Sequence, residues 1–239
     1  MPQVLEDLAE LPPGAHGLSF HSDSNEAQDH AVRFLSGAPK EAAASYWVAT
    51  PEIAERYNER LASDLPERVG CVASLGHEQV EDHEGRLRPV GEVTEFVREH
   101  PDGVTAAADT ISLFWDLESV PEHLEYEEWF QEQPRDRSRF LCPYDLRRVP
   151  ADVAPDVLRD LGRHHTHVVL SSSPEPAVRL LQLFVFGTPS ELPKQLGSEL
   201  RWAREHRLVH AAGPDVPFEL TEQGRVAVRE WGERTTVDW

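Results

Sequence analysis

Apolar positions along the chain switch between two spacings, and the switches mark its elements. Residues 16–20 form a short apolar strand, and 26–35 place Ala27, His30, Ala31, Phe34 and Leu35 on one face of a helix. The same alternation continues with a strand at 44–49, a helix at 51–61 opened by Pro51, and a strand at 68–75. Residues 76–89 are polar and irregular, and 90–100 read as a helix. Residues 104–115 are apolar enough for a strand or a buried helix, and periodicity does not arbitrate. An acidic helix at 120–133, a strand at 139–146, a helix at 150–162 and a strand at 166–170 follow. Alternating strand and helix with near-continuous apolar strands predicts an α/β domain built on a mostly parallel sheet covered on both faces. Ahead of it, Val4, Leu5, Leu8 and Leu11 make a short amphipathic piece closed by Pro12, Pro13 and Gly14. That piece either docks on the domain or pairs with another subunit.

The last quarter has a different rhythm. Val178, Leu180, Leu181, Phe184 and Val185 recur at helical spacing over 176–186, and Gly187 ends that helix. Thr188 and Pro189 open a second, short helix. Gly197 makes a turn, and Ser198 is the expected N-cap of a third helix over 199–207. Leu208 and Val209 start a strand, Gly213, Pro214 and Asp215 turn the chain, and Phe218 and Leu220 return. Thr221 caps a final helix to about Trp231. This order is that of a winged helix-turn-helix. The sequence FELTEQGR resembles the wing-to-helix junction of many prokaryotic winged-helix regulators. The predicted division is 1–173 and 174–239, joined by Ser171, Ser172, Ser173 and Pro174, a link too short for independent tumbling.

Charge sharpens the division. The chain of 239 residues carries a net charge of −20. Residues 174–239 hold eight basic and ten acidic side chains, so −18 falls on residues 1–173. The two segments therefore present different surfaces to partners. Lys40 and Lys194 are the only lysines. An acid-rich, lysine-poor composition resembles proteins of salt-accumulating halophiles, in which dense carboxylates keep the surface hydrated; an acidic protein from a GC-rich genome is the plainer source. No apolar run reaches membrane-spanning length and the start lacks a signal peptide's pattern, so a cytoplasmic location is expected. Cys71 and Cys142 form no disulfide framework and read as buried thiols in strand-like runs.

Two stretches carry a more specific likeness. HLEYEEWF, followed by SRFLCPYDLRRVP, resembles the second half of the MEDS domain, the sensory domain of methanogen and methylotroph regulators such as DcmR. In that family a helix bearing a Tyr-Glu pair precedes a strand ending in Cys-x-Tyr-Asp; the matching positions are Tyr126, Glu127, Cys142, Tyr144 and Asp145. The opening GLSFHSDSNEAQDHAVRFLSGA with SYWVAT fits the family's strand, polar loop, helix and second strand. The resemblance implies a RecA/KaiC-like sheet without ATPase equipment and a role in sensing small molecules. This chain departs from the DcmR arrangement in placing its DNA-binding part after the sensory domain.

The candidate chemistry is limited. A phosphate-cradling loop needs glycines, a lysine and a hydroxyl. The loop at 21–26 has no glycine or lysine and carries Asp23 and Glu26, which fit a helix cap and a first-turn acid. Nucleotide hydrolysis is thereby rejected, and no cofactor is expected. His21, Asp23, His30 and the tract His164, His165, His167 raise a metal site, since His-x-His on a strand puts two rings on one face. Histidines near a strand entrance are common, and no cysteine or carboxylate stands at ligand spacing, so no metal is assigned. His21, Asp116, Tyr144 and Asp145 form the candidate ligand crevice, because ligands sit beyond the carboxyl ends of strands in open α/β sheets. The plainer reading makes Tyr144 core and Asp145 a turn cap.

On the third C-terminal helix, Arg201, Arg204 and Arg207 run along one side and suit phosphates or guanine edges. With Lys194, Ser198 and Trp202 they make the candidate DNA-binding set. The plainer reading is a solvated face with Glu199 and Glu205 neutralising the arginines. The expectation is a DNA-binding transcription regulator, a homodimer matched to palindromic half-sites, controlled by a non-catalytic sensory domain with a possible small-molecule effector. The alternatives are a protein-interaction adaptor, and an enzyme working at His21 and Asp145.

Overall fold

The computed structural model describes residues 1–39, 43–48, 55, 59, 70–73, 99–109, 136–149 and 151–234. The expected elements at 76–89 and 120–133, most of those at 51–61 and 90–100, and the candidates Asp116, Tyr126 and Glu127 lie outside these residues.

Seven strands form one sheet: β1 (Gln3–Val4), β2 (His16–His21), β3 (Ala43–Val48), β4 (Gly70–Ala73), β5 (Val104–Asp109), β6 (Arg139–Asp145) and β7 (His167–Val169). Their spatial order is β1-β7-β2-β6-β5-β3-β4, and every pairing among them is parallel. The apolar stretch at 104–109 is thus a strand. Period-two alternation splits the buried strand residues between two cores. Leu18, Phe20, Cys142 and Tyr144 point to one face, and Ala107 and Leu141 to the other.

Helix α1 (Ser24–Ser36) covers that second face, burying Ala27, His30, Ala31, Phe34 and Leu35, the stripe its spacing predicts. The N-terminal piece docks rather than standing free. Its strand β1 adds to the sheet edge beside β7, and Leu8 and Leu11 seal the α1 side. Buried Arg139 ties it down by donating to the carbonyls of Ala9, Leu11 and Gly37 at 3.3, 3.1 and 2.6 Å. The last of these closes the C-terminal end of α1, where the helix dipole favours a cation.

The first face is covered by α2 (Ala154–His164), whose buried positions 154, 157, 158, 161 and 162 repeat at helical spacing. Onto α2 packs α3 (Pro176–Leu181), which tightens into a 3-10 turn over Gln182–Phe186. Every residue from Leu180 to Phe186 is buried, so this segment is core on all sides rather than the amphipathic helix that its spacing predicts. The approach is close: a Cβ on Gly162 would stand 2.0 Å from the Val185 carbonyl oxygen. Gly187, at φ 75°, ends the segment.

Two short 3-10 turns, Pro189–Glu191 and Lys194–Leu196, lead into α4 (Gly197–Glu205). The first has a capping box between Thr188 and Glu191. An antiparallel pair, β8 (Val209–His210) and β9 (Glu219–Leu220), precedes α5 (Glu222–Arg234). The Thr221 hydroxyl accepts the Gly224 N–H at 3.0 Å and caps α5 as expected. One apolar cluster runs without a break from Leu18 and Tyr144 through Phe184 and Phe218 to Trp231. No helix among the described residues is long and apolar enough to cross a membrane.

Candidate functional site

The carboxyl ends of β2 and β6 lie side by side, with His21 opposite Asp145. From β2 the chain crosses by α1 on one face, and from β6 it crosses by α2 on the other, so this pair marks the topological switch point of the sheet. His21 is fully buried there, and neither ring nitrogen has a hydrogen-bond partner among the described residues. Burial pushes its pKa down from 6.5 to about 4, against the pull of the Asp145 charge. Nearby His30 is lowered as well, mainly by desolvation.

Asp145 receives Arg147 Nε at 2.8 and 3.0 Å and the Arg147 backbone N–H at 3.0 Å, capping the 3-10 turn Leu146–Arg148. Burial would raise its carboxyl, but the Arg147 hydrogen bonds and charge hold it below the usual carboxylate range. Tyr144 does not share this crevice. Alternation along β6 turns it to the opposite face, where it is fully buried with its ring 6.4 Å from Phe20 and 6.2 Å from His165.

The loop at 21–26 supplies its own carboxylates to the start of α1. Asp23 caps α1 by accepting the N–H groups of Asn25 and Glu26, each at 2.9 Å. Glu26 takes the Ser22 N–H at 2.9 Å, the Ser172 N–H at 3.1 Å and the Ser171 hydroxyl at 2.6 Å. Its carboxylate thus gathers the donors that a bound anion at this helix start would need. Gln182 holds the same link from below, its Oε1 accepting the Ser171 N–H at 2.7 Å.

The second candidate surface is α4. It packs on α3 and β8 through Ala203 and Leu200; Arg201 and Arg204 are exposed on its outer side, and Arg207, expected within the helix, is exposed in the turn beyond its end at Glu205. Glu199 pairs with Arg179 at 3.6 Å, and none of these three arginines forms an ion pair with a described residue. The solvated-face reading, in which Glu199 and Glu205 neutralise them, is corrected to that extent. Lys194 is exposed just ahead of the helix. Trp202 is half-buried between the Arg179 guanidinium, 5.0 Å from its ring, and His206, 5.2 Å away, and so braces the helix from within.

The expected cap at Ser198 is also corrected. The helix starts at Gly197 with Leu196 at the cap position, and the Ser198 hydroxyl donates to Glu199 at 2.7 Å. At the other end Arg207 has φ 54°, a left-handed conformation costly for a side chain with Cβ. The Leu208 N–H bonds the Ala203 carbonyl at 2.8 Å and the Arg207 N–H bonds Arg204 at 3.0 Å, a Schellman closure in which glycine is the usual residue.

The histidines singled out in the sequence do not converge. His165 is buried, whereas His167 is half-exposed and bonded to the Thr166 hydroxyl, so the two rings do not chelate together. The sequence reading passed over His16, which the structure brings against Cys142 and His165. Its position opening the strand that pairs with the Cys142 strand was the available signal.

No family model matches the chain, and no curated protein matches it. A solved structure of a protein from Pyrococcus horikoshii OT3 aligns over 67% of this chain and 83% of its own length, at 13% identity and a TM-score of 0.44. A likeness of that degree carries no functional inference.

Proposed function

We propose that the chain is a DNA-binding transcription regulator in which residues 174–239 act as a winged helix-turn-helix and α4 is the reading helix. The α/β part serves as a non-catalytic sensory unit of RecA/KaiC-like type, and the working form is a homodimer. The observation that carries the reading is the exposure of Arg201 and Arg204 on the outward side of α4, with Arg207 exposed in the turn that ends the helix, clear of the shared core. The left-handed backbone at Arg207 supports it, since strain retained where glycine would relieve it points to a use for the side chain. The buried imidazole of His21 at the switch point, without a hydrogen-bond partner among the described residues, supports a small-molecule effector in that crevice.

The test is a mobility shift with selected DNA at molar salt, where a Debye length of about 3 Å removes long-range attraction and leaves close contacts. Arg201→Ala and Arg204→Ala each weaken specific binding by roughly 1–3 kcal/mol while circular dichroism is unchanged. Arg207→Gly raises stability by roughly 1 kcal/mol and still lowers affinity. Unchanged binding in all three variants would remove α4 as the reading element.

A protein partner in place of DNA is the second reading, favoured by exposed Val216 and Asp215 at the tip of the β8-β9 hairpin, an apolar and acidic tip ill suited to a phosphate backbone. Failure of random-site selection together with one co-purifying protein would decide for it.

A further inference from the structure

At the end of the sheet opposite the crevice, three side chains with metal-binding atoms converge inside the core. His16 opens β2, Cys142 lies on β6 and His165 immediately precedes Thr166 and β7; they are 0%, 7% and 3% exposed. One donor atom from each lies within 4.8 Å of the other two. His16 Nε2 is 3.1 Å from Cys142 Sγ, and the two imidazoles stack with centroids 4.0 Å apart.

The backbone sets the tautomers. His16 Nδ1 lies 3.1 Å from the His164 carbonyl oxygen and His165 Nδ1 lies 2.7 Å from that of Leu161. A carbonyl oxygen only accepts, so each Nδ1 carries the proton and each Nε2 is left as the basic nitrogen. A carbonyl fixing the outer ring nitrogen is the support that metal-binding histidines use. The positions are rigid as well: Thr166 accepts the His16 N–H at its hydroxyl, at 3.0 Å, and donates its own N–H to the His16 carbonyl at 2.8 Å. A single cation can engage both nitrogens and the sulfur at once.

We propose that His16 Nε2, His165 Nε2 and Cys142 Sγ form a binding site for a zinc-type divalent ion, with a fourth position left for water or a small ligand. Two imidazoles and a thiolate match the ligand preference of such an ion. Bonds of about 2.0 Å to nitrogen and about 2.3 Å to sulfur set tetrahedral ligand atoms roughly 3.5 Å apart, within reach of small side-chain movements from the present spacing. On binding, the Cys142 thiol gives its proton to solvent and both imidazoles bind neutral, so one proton leaves per ion. Three protein ligands are the count of sites that act on an exogenous ligand; structural zinc sites use four. This site is separate from His21, since the length of β2 puts about 16 Å between its ends. It does not rest on the DNA-binding reading, and its test uses no DNA.

The full chain, stripped with chelator and returned to molar salt, is titrated with Co2+ and then Zn2+. The expected result is one equivalent of Co2+ giving a thiolate-to-metal charge-transfer band and tetrahedral visible bands, lost on adding one equivalent of Zn2+. Zn2+ releases one proton per chain and raises the melting temperature. Cys142→Ala abolishes the charge-transfer band, Cys71→Ser keeps it, and His165→Gln lowers affinity on the order of 100-fold. Absence of the band or of proton release in the wild-type chain overturns the proposal without reference to any variant. So does a band that survives in Cys142→Ala.

Discussion

His21 illustrates how one side chain can set the pH range of the protein. A histidine in the unfolded chain takes up a proton as pH falls below 6.5, but the buried ring resists protonation down to about 4. The native state therefore loses stability progressively from pH 6.5 to 4 and is unaffected above that window. The difference corresponds to roughly 3 kcal/mol. Denaturant midpoints of wild type and His21→Gln should run parallel above pH 7 and diverge below 6, with the wild type falling faster; identical pH slopes would show that His21 is not the group responsible. Residue-scale features were unevenly legible in the sequence. Asp145 and Tyr144 are adjacent in a strand, and alternation alone already places them on opposite faces. Grouping them as one crevice ignored a period that was there to be read. The partnering of Glu199 with Arg179 was not readable, because those residues are on different helices and meet only after folding.

At the scale of elements, the strongest periodicities gave the clearest predictions. The stripe on α1 and the cap at Asp23 are local, so the chain announces both. The helix expected over 176–186 forms as an α-helix only to Leu181, and its enclosure from Leu180 to Phe186 was not readable because spacing cannot distinguish a one-sided helix from one enclosed on every side. Its enclosure depends on α2, and Gly162 is the point of closest approach. A methyl group there would meet the Val185 backbone oxygen, and neither helix can yield without disturbing its neighbour. Gly162→Ala is expected to cost roughly 1–3 kcal/mol, read as a lowered melting temperature, whereas Gly197→Ala, which meets nothing within 4 Å, should be neutral or better. Equal effects of the two would sink the packing account. Ser198 failed as a cap for a related reason: residue type suggests a cap, but the winding begins two residues earlier than expected, at Gly197.

For the whole molecule, the consequential fact is that one of the two apolar cores spans the expected boundary near residue 173. Arg159 reaches from α2 to the Phe218 carbonyl at 3.2 Å, and Arg229 meets Asp152 at 3.4 Å, adding polar ties to the apolar ones. Unfolding should therefore follow one transition, with tryptophan fluorescence and far-ultraviolet circular dichroism superimposing; two resolved transitions would show the segments to be independent. Composition and charge asymmetry predicted the division but could not reveal the shared interior, which arises from side chains more than 150 residues apart in sequence, as with Leu18 and Trp231. The carboxylate of Glu26 gives this joining a further meaning. It fastens the mouth of the sheet to Ser171 and Ser172, the residues from which the C-terminal part is suspended. Entrance and suspension are thus one knot, and a guest that drew this carboxylate toward itself would slacken the cord at the same moment.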